Sequence, residues 1–116
     1  MEIDPAVTEY HAHIYYRSPQ ERAVAEGMRA GIERRFTVRI GRWRDEPVGP
    51  HPAPMFQVAF TPDMLQAILP WLMVNRGGLV VLVHPETGRP RDDHLLHAAW
   101  MGEVLPLDGS VLPEVG

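Results

Sequence analysis

The order of elements in this sequence predicts an α+β fold of the split βαβ, ferredoxin-like type: strand, helix, strand, strand, helix, strand. Three observations carry that expectation. Residues 10–16, "YHAHIYY", alternate with the two-residue period of a strand. "SPQE" and "TPD" each place a capping residue directly before a proline, the signature of a helix start. "LVVLVH" is a short continuous apolar run, as a strand buried on both faces requires. Right-handed crossovers then put strand 1 between strands 4 and 3, giving an antiparallel sheet in the order 4132.

In strand 1, Tyr10, Ala12, Ile14 and Tyr16 form one side, and His11, His13 and Tyr15 the other. Helix 1 starts at Ser18-Pro19, with Glu21 completing a capping box, and Val24, Met28 and Ile32 make a narrow core stripe. Gly27 and Gly31 weaken this helix intrinsically, so packing must support it. "RFTVRIGRW" is strand 2 and "MFQVAF" strand 3. Between them, residues 44–54 hold four prolines and a glycine, a stiff connector unable to join a helix or a central strand. Helix 2 follows Thr61-Pro62, presents Leu65, Ile68, Leu69 and Leu72 on one face, and stops at "NRGG"; Pro70 predicts a kink. Strand 4 is "LVVLVH". Beyond it a loop with a short helical turn is expected, then a loosely ordered tail over about 105–116. Residues 1–116 thus make a single domain, with both helices on one sheet face and the other face open to a partner subunit or a site.

Composition narrows the function. A hydrophobic content of 45% with 22% charged residues is that of an ordinary globular domain. A net charge of −4 disfavours a general nucleic-acid binder. With no cysteine, disulfides, zinc fingers and thiol nucleophiles are excluded together, and any metal must be held by histidine or oxygen. The first ten residues show no secretory signal pattern, and no apolar run is long enough to span a bilayer, so a soluble cytoplasmic protein is expected.

The six histidines carry the chemical signal. Successive same-face residues on a strand are about 6.6 Å apart, so two imidazoles there can tilt onto one ion if a neighbouring strand supplies a third. His11 and His13 meet the first condition. His84, closing strand 4, is expected near His11; His51, before strand 3, near His13 and Tyr15. Both compete for the third place, and His84 is the better placed. Spacing alone equally describes hydrogen-bonded histidines at a dimer interface. His94 and His97 are three apart and could share a helical face.

"YHAHIYY", "PVGPHPAPMFQVAF", "WLMVNRGGLVVLVHPETG" and "DDHLLHAAWMGE", in that order, resemble the DOPA 4,5-dioxygenase family of small fungal and bacterial proteins. The resemblance runs from Tyr10 to about Leu107. It implies a ferredoxin-like dimer and extradiol opening of L-DOPA by O2 with Fe(II). The seco-DOPA product of that opening cyclises to a muconate-type pigment precursor. The family's histidine pattern falls on His11, His13, His51, His84 and His94; where this chain has Arg44, the family often has a histidine.

Within that histidine pattern we assign a division of labour. His11, His13 and His84 are expected to hold Fe(II), although a purified sample could carry zinc or nickel. His51 and His94 are expected as the catalytic acid and base, since imidazole titrates near neutral pH. Tyr15, Arg42 and Arg76 are the substrate-binding candidates. The partners are then a small aromatic substrate and O2 in a homodimer, with no nucleic acid and no membrane. Two other readings share the same residues: a non-catalytic dimeric module with interface histidines, and a metal-dependent enzyme on another small aromatic substrate.

Overall fold

A computed structural model describes residues 7–116 of the chain. Strand β1 (Tyr10–Tyr15) leads to helix α1 (Pro19–Arg35) and the short strand β2 (Arg39–Ile40). Strand β3 (Met55–Phe60), helix α2 (Pro62–Asn75) and strand β4 (Val81–Pro85) repeat the pattern. Helix α3 (Pro90–Leu95), strand β5 (Ala99–Met101) and a 3-10 turn at Gly109–Val111 complete the chain. The sheet has five strands in the order β2-β3-β1-β4-β5, with antiparallel neighbours throughout.

All three α-helices carry proline at their start, where the missing N–H has no intrahelical partner to lose. Ser18 caps α1 by accepting from the Glu21 amide, and Glu21 returns the contact by accepting from Arg17 N–H at 2.8 Å. Thr61 precedes α2 without a side-chain cap to the backbone, its hydroxyl bonding Asp63 instead. Helix α2 runs unbroken through Pro70 to Asn75.

The core between helices and sheet is built from alternate strand residues: Ala12, Ile14 and Tyr16, then Phe56, Val58 and Phe60, with Val81 and Val83. Against them α1 lays Ala25, Met28 and Ile32, and α2 lays Ile68 and Leu72. Met28 and Ile32 are buried as expected, while Val24 is 38% exposed and Ala25 takes its place in the stripe. Gly31 has a packing role: a Cβ there would stand 2.9 Å from the Trp71 ring of α2. The glycine that weakens α1 as a helix thereby lets the two helices approach.

Three expectations are corrected. The sheet has five strands rather than four, because "AWM" pairs with β4 through Val81–Met101, Leu82–Trp100 and Val83–Ala99. Strand β2 is much shorter than "RFTVRIGRW", and its line resumes only at the Arg44–Met55 bridge. Third, the face opposite α1 and α2 is not open. Tyr15, Ala53, Met55, Val80, Leu82 and Leu105 form a second buried cluster there, with Trp100 and Leu107 packed against it. The covering segment is the chain after β4, which folds back because it carries its own apolar anchors. Within residues 105–116, Asp108 N–H donates to Pro50 O at 2.9 Å, and Leu112 O accepts from Arg91 at 2.8 Å. No helix among the described residues is long and apolar enough to cross a membrane.

Candidate metal centre

The antiparallel register aligns the histidine face row by row. His11 lies between Ala59 of β3 and His84 of β4; His13 lies between Gln57 and Leu82; Tyr15 lies beside Met55. Directly paired residues share a face, so His11, His13 and His84 project from the same side of the sheet. His51 arrives from the connector before β3. The turn Val48–His51 closes by His51 N–H donating to Val48 O at 3.1 Å, with Gly49 at φ 58°, a conformation glycine adopts without strain. His94 descends from α3, its ring centroid 4.0 Å from that of His84 and 5.9 Å from those of His13 and His51. His97 is exposed in the turn after α3 and stays outside this group.

His13 is the hub and is only 2% exposed. Its Nε2 faces Nε2 of His84 at 3.0 Å, and its ring centroid is 4.3 Å from that of His51. Its Nδ1 is buried with no hydrogen-bond partner among the described residues, an expensive condition for a polar atom. The other rings are anchored through one nitrogen. His84 Nδ1 lies 3.0 Å from Pro85 O, and His94 Nδ1 lies 2.7 Å from Pro90 O. His51 Nδ1 lies 2.6 Å from the Tyr15 hydroxyl. At His84 and His94 the carbonyl can only accept, so Nδ1 donates and Nε2 is left as the acceptor, the arrangement that outer partners impose on metal-binding histidines. At His51 the same tautomer requires the Tyr15 hydroxyl to accept from Nδ1. His11 differs, with Nδ1 3.2 Å from Glu86 and Nε2 2.8 Å from Glu9.

The site's electrostatics favour the neutral forms of His13, His51 and His84. Burial, and then the neighbouring imidazoles, hold His13 well below the usual histidine range. Burial first, and His94 second, push His51 down to about 4 and His84 to about 3. Burial raises the Tyr15 phenol, so that hydroxyl stays protonated beside His51. Packed neutral imidazoles with unmet lone pairs are what a cation requires.

Two groups of three donors converge, each with ligand atoms within 4.8 Å of one another: His11, His13 and His84, and His13, His51 and His94. The donor set fits a transition metal. Two nitrogens each about 2.1 Å from one ion, at right angles, stand about 3.0 Å apart. The His13–His84 nitrogens are at that separation.

The other sequence-derived candidates are placed differently. Tyr15 is fully buried, stacked on Trp100 at 6.0 Å, and touches the site through His51 rather than presenting a free surface. Arg76 donates to Leu79 O at 2.8 Å and closes the turn after α2. Arg42 lines a cavity of about 260 Å³ next to His51, together with Arg44, Val48, Met55 and Gln57. The sequence reading did not single out Asp93. Its carboxylate is 1% exposed and accepts from the Thr87 amide at 2.9 Å and the Thr87 hydroxyl at 2.6 Å. That clasp joins the first turn of α3 to the loop after β4 and so fixes His94 over His84. The acidic pair following Pro90 was the available signal for it.

Fold and site together define a small α+β protein with a buried multi-histidine centre suited to a metal ion. The chain belongs to the Dopa 4,5-dioxygenase family, whose sequence model matches residues 10–111. It is 30% identical over 119 residues to the DOPA 4,5-dioxygenase of Amanita muscaria, covering 96% of this chain and 52% of that one. It is 43% identical over 114 residues to an uncharacterized 21.2 kDa protein of Botryotinia fuckeliana, covering 89% of this chain and 62% of that one. The chain therefore spans roughly half to two thirds of the length of these relatives. A crystal structure from Nostoc punctiforme, described as a candidate dioxygenase, superposes with a TM-score of 0.88 at 46% identity, covering 90% of each chain.

Proposed function

We propose that this chain is an extradiol dioxygenase that opens the ring of a catechol with O2 at a histidine-held Fe(II). Membership of the family supports dioxygenase chemistry. The observation that carries the metal is the facing of His13 and His84 through Nε2 at 3.0 Å beside a buried, unpartnered His13 Nδ1. His11 would complete the set, with Glu86 behind its Nδ1 and its Nε2 exchanging the contact with Glu9 for the ion. When bound, Fe(II) would supply the Lewis-acid and redox chemistry that O2 and an aromatic diol need.

The chain's own residues do the remaining work. His51 is neutral at neutral pH and can accept a phenolic proton at Nε2, while the Tyr15 hydroxyl fixes its ring. His94, anchored to Pro90 O, presents its Nε2 from the covering segment and is placed to return a proton. Leu82, Met55, Trp100 and Leu105 keep the floor of the site apolar and water-poor. Assembly as a homodimer rests on the family resemblance alone, and light scattering on the purified chain tests it.

A second metal set has its own support. His13, His51 and His94 converge without a competing carboxylate, and the unpartnered Nδ1 belongs to His13. Anaerobic loading with Fe(II), then addition of L-DOPA or another catechol in air, tests the main proposal. A yellow ring-opened product that is lost in His13→Ala supports it. Absence of metal uptake above background by the folded chain overturns it and favours a non-catalytic module.

A further inference from the structure

Beside the histidine cluster lies a cavity whose chemistry selects a substrate tail. It measures about 260 Å³, just below the roughly 300–1,000 Å³ of pockets that hold drug-sized ligands, and so suits a single-ring molecule. Gly41, Arg42, Arg44, Val48, Gly49, Pro50, His51, Met55 and Gln57 line it. His51 belongs to both the cavity and the histidine cluster, so the two adjoin at that ring. The cavity's lining includes Arg42 and Arg44 and, among the described residues, no carboxylate, while a neighbouring hollow bordered by the same two arginines holds Asp45 and Glu46.

The backbone explains why the arginines stand there. Arg44 forms a two-way bridge with Met55, donating to its carbonyl at 2.9 Å and accepting from its amide at 3.0 Å. Met55 is in turn paired with Tyr15, so Arg44 is in line with the histidine face. Trp43 turns the opposite way, its ring 5.0 Å from Phe56 in the helical core. Between the Ile40–Val58 and Arg44–Met55 pairs the edge carries one residue more than β3. Such a bulge re-aims side chains, and this one accompanies two arginines lining a single hollow.

Among the described residues neither Arg42 nor Arg44 makes a side-chain ion pair or hydrogen bond, a condition they share with Arg34 and Arg89, which lie away from this cavity. Arg17, Arg22, Arg29, Arg39 and Arg91 have carboxylate partners, and Arg35 and Arg76 bond backbone carbonyls. The adjacent Asp45 is engaged elsewhere, accepting from the Tyr16 hydroxyl at 2.7 Å and Arg22 Nε at 3.1 Å. The amide of Gln57, paired with His13 across the strands, also has no side-chain partner and adds a neutral donor to the hollow.

We infer that Arg42 and Arg44 form a carboxylate subsite and that the preferred substrate is a catechol monocarboxylate without an amino group. This rests on the ring-opening reading of the histidine cluster. With the diol at the histidines, the tail is directed past His51 to the arginines, whose forked donors match a carboxylate. An α-ammonium group would meet two like charges and no acid in the lining, so an amino acid or an amine is disfavoured.

Binding and turnover are to be measured separately on the full chain. Calorimetric titration, with and without added Zn(II), would compare 4-hydroxyphenylacetate, its amide, tyrosine and tyramine, none of which is a catechol. The acid should bind at least tenfold tighter than the amide and tighter still than tyramine, with tyrosine between them. Arg44→Met and Arg42→Met should each bring the acid toward the amide while leaving the amide unchanged. Acid and amide within twofold of each other, or an acid preference that survives both substitutions, overturns the subsite. In turnover, kcat/KM should fall from 3,4-dihydroxyphenylacetate through L-DOPA to dopamine. Selective acid binding with no ring opening of any catechol upholds the subsite and overturns the dioxygenase reading. Ring opening without regard to tail charge does the reverse.

Discussion

His13 has four imidazoles around it, those of His11, His51, His84 and His94, and its own nitrogens decide what the centre does. Replacing it with alanine removes the one residue common to both converging triads. Chelator competition should therefore show at least a hundredfold loss of Fe(II) or Zn(II) affinity. His84→Ala and His51→Ala separate the two triads. If the His11–His13–His84 set holds the metal, His84→Ala loses the ion, while His51→Ala keeps it and loses about 10²–10⁴ in turnover as a missing proton carrier. The opposite pattern assigns the ion to His13, His51 and His94. Tyr15→Phe removes the hydroxyl that anchors His51 and leaves its Nδ1 buried without that partner. It should lower turnover about 10–100-fold with metal binding retained, and thermal unfolding should register about 1–3 kcal/mol. The pool of functional residues was legible at this scale because alternation in "YHAHIYY" separates imidazoles from core. The free nitrogen on each ring was not. At His84 and His94 it is decided by the carbonyls of Pro85 and Pro90, partners that only the folded backbone brings within reach.

Among the elements, the βαββαβ part of the fold was readable because each helix and strand carries its own local signal: caps, prolines at helix starts, and two-residue alternation. The chain after β4 was harder. Helix α3 has only six residues, too few to show a periodic face, although Pro90 followed by Asp92 and Asp93 repeats the start chemistry of α1 and α2. Strand β5 has three residues, and its apolar anchors meet partners that come from distant β1 and β4. A short helical turn was expected there, but β5 and the docking of the segment were not, which led to an open sheet face where the molecule has a covered one. Asp93 tests whether α3 is an integral part of the site. Asp93→Asn keeps the shape but weakens two charge-assisted bonds from Thr87, and Asp93→Ala removes them. Stability should fall by about 1–3 kcal/mol in the alanine variant and less in the asparagine variant. Thr87→Val alone and combined with Asp93→Ala should be non-additive, as expected for two halves of one contact. Full additivity would show that the clasp does not exist in solution.

For the whole molecule, a cluster of neutral buried imidazoles sets how stability depends on pH. In the unfolded chain each histidine takes up a proton near pH 6.5. In the folded, metal-free chain His51 resists until about 4 and His84 until about 3, and burial holds His13 well below the ordinary value too. Below pH 6.5 the unfolded state therefore binds more protons than the folded one, and the linkage relation makes stability fall as the pH falls. Their contribution is fully present above about pH 7 and is lost progressively between 6.5 and 3. Urea denaturation of the metal-free chain should show a midpoint that is level from pH 7 to 8 and declines steadily below 6.5. In the His51→Gln/His84→Gln double variant that decline should be visibly shallower. Because only unprotonated imidazole binds a metal, added Zn(II) should raise the midpoint more at pH 7.5 than at 5.5. At a free concentration one hundred times the dissociation constant the gain is about 2.7 kcal/mol. A slope unchanged by the double substitution would mean that the acid sensitivity resides in the carboxylates, and the histidine cluster would then be neither buried nor neutral in solution.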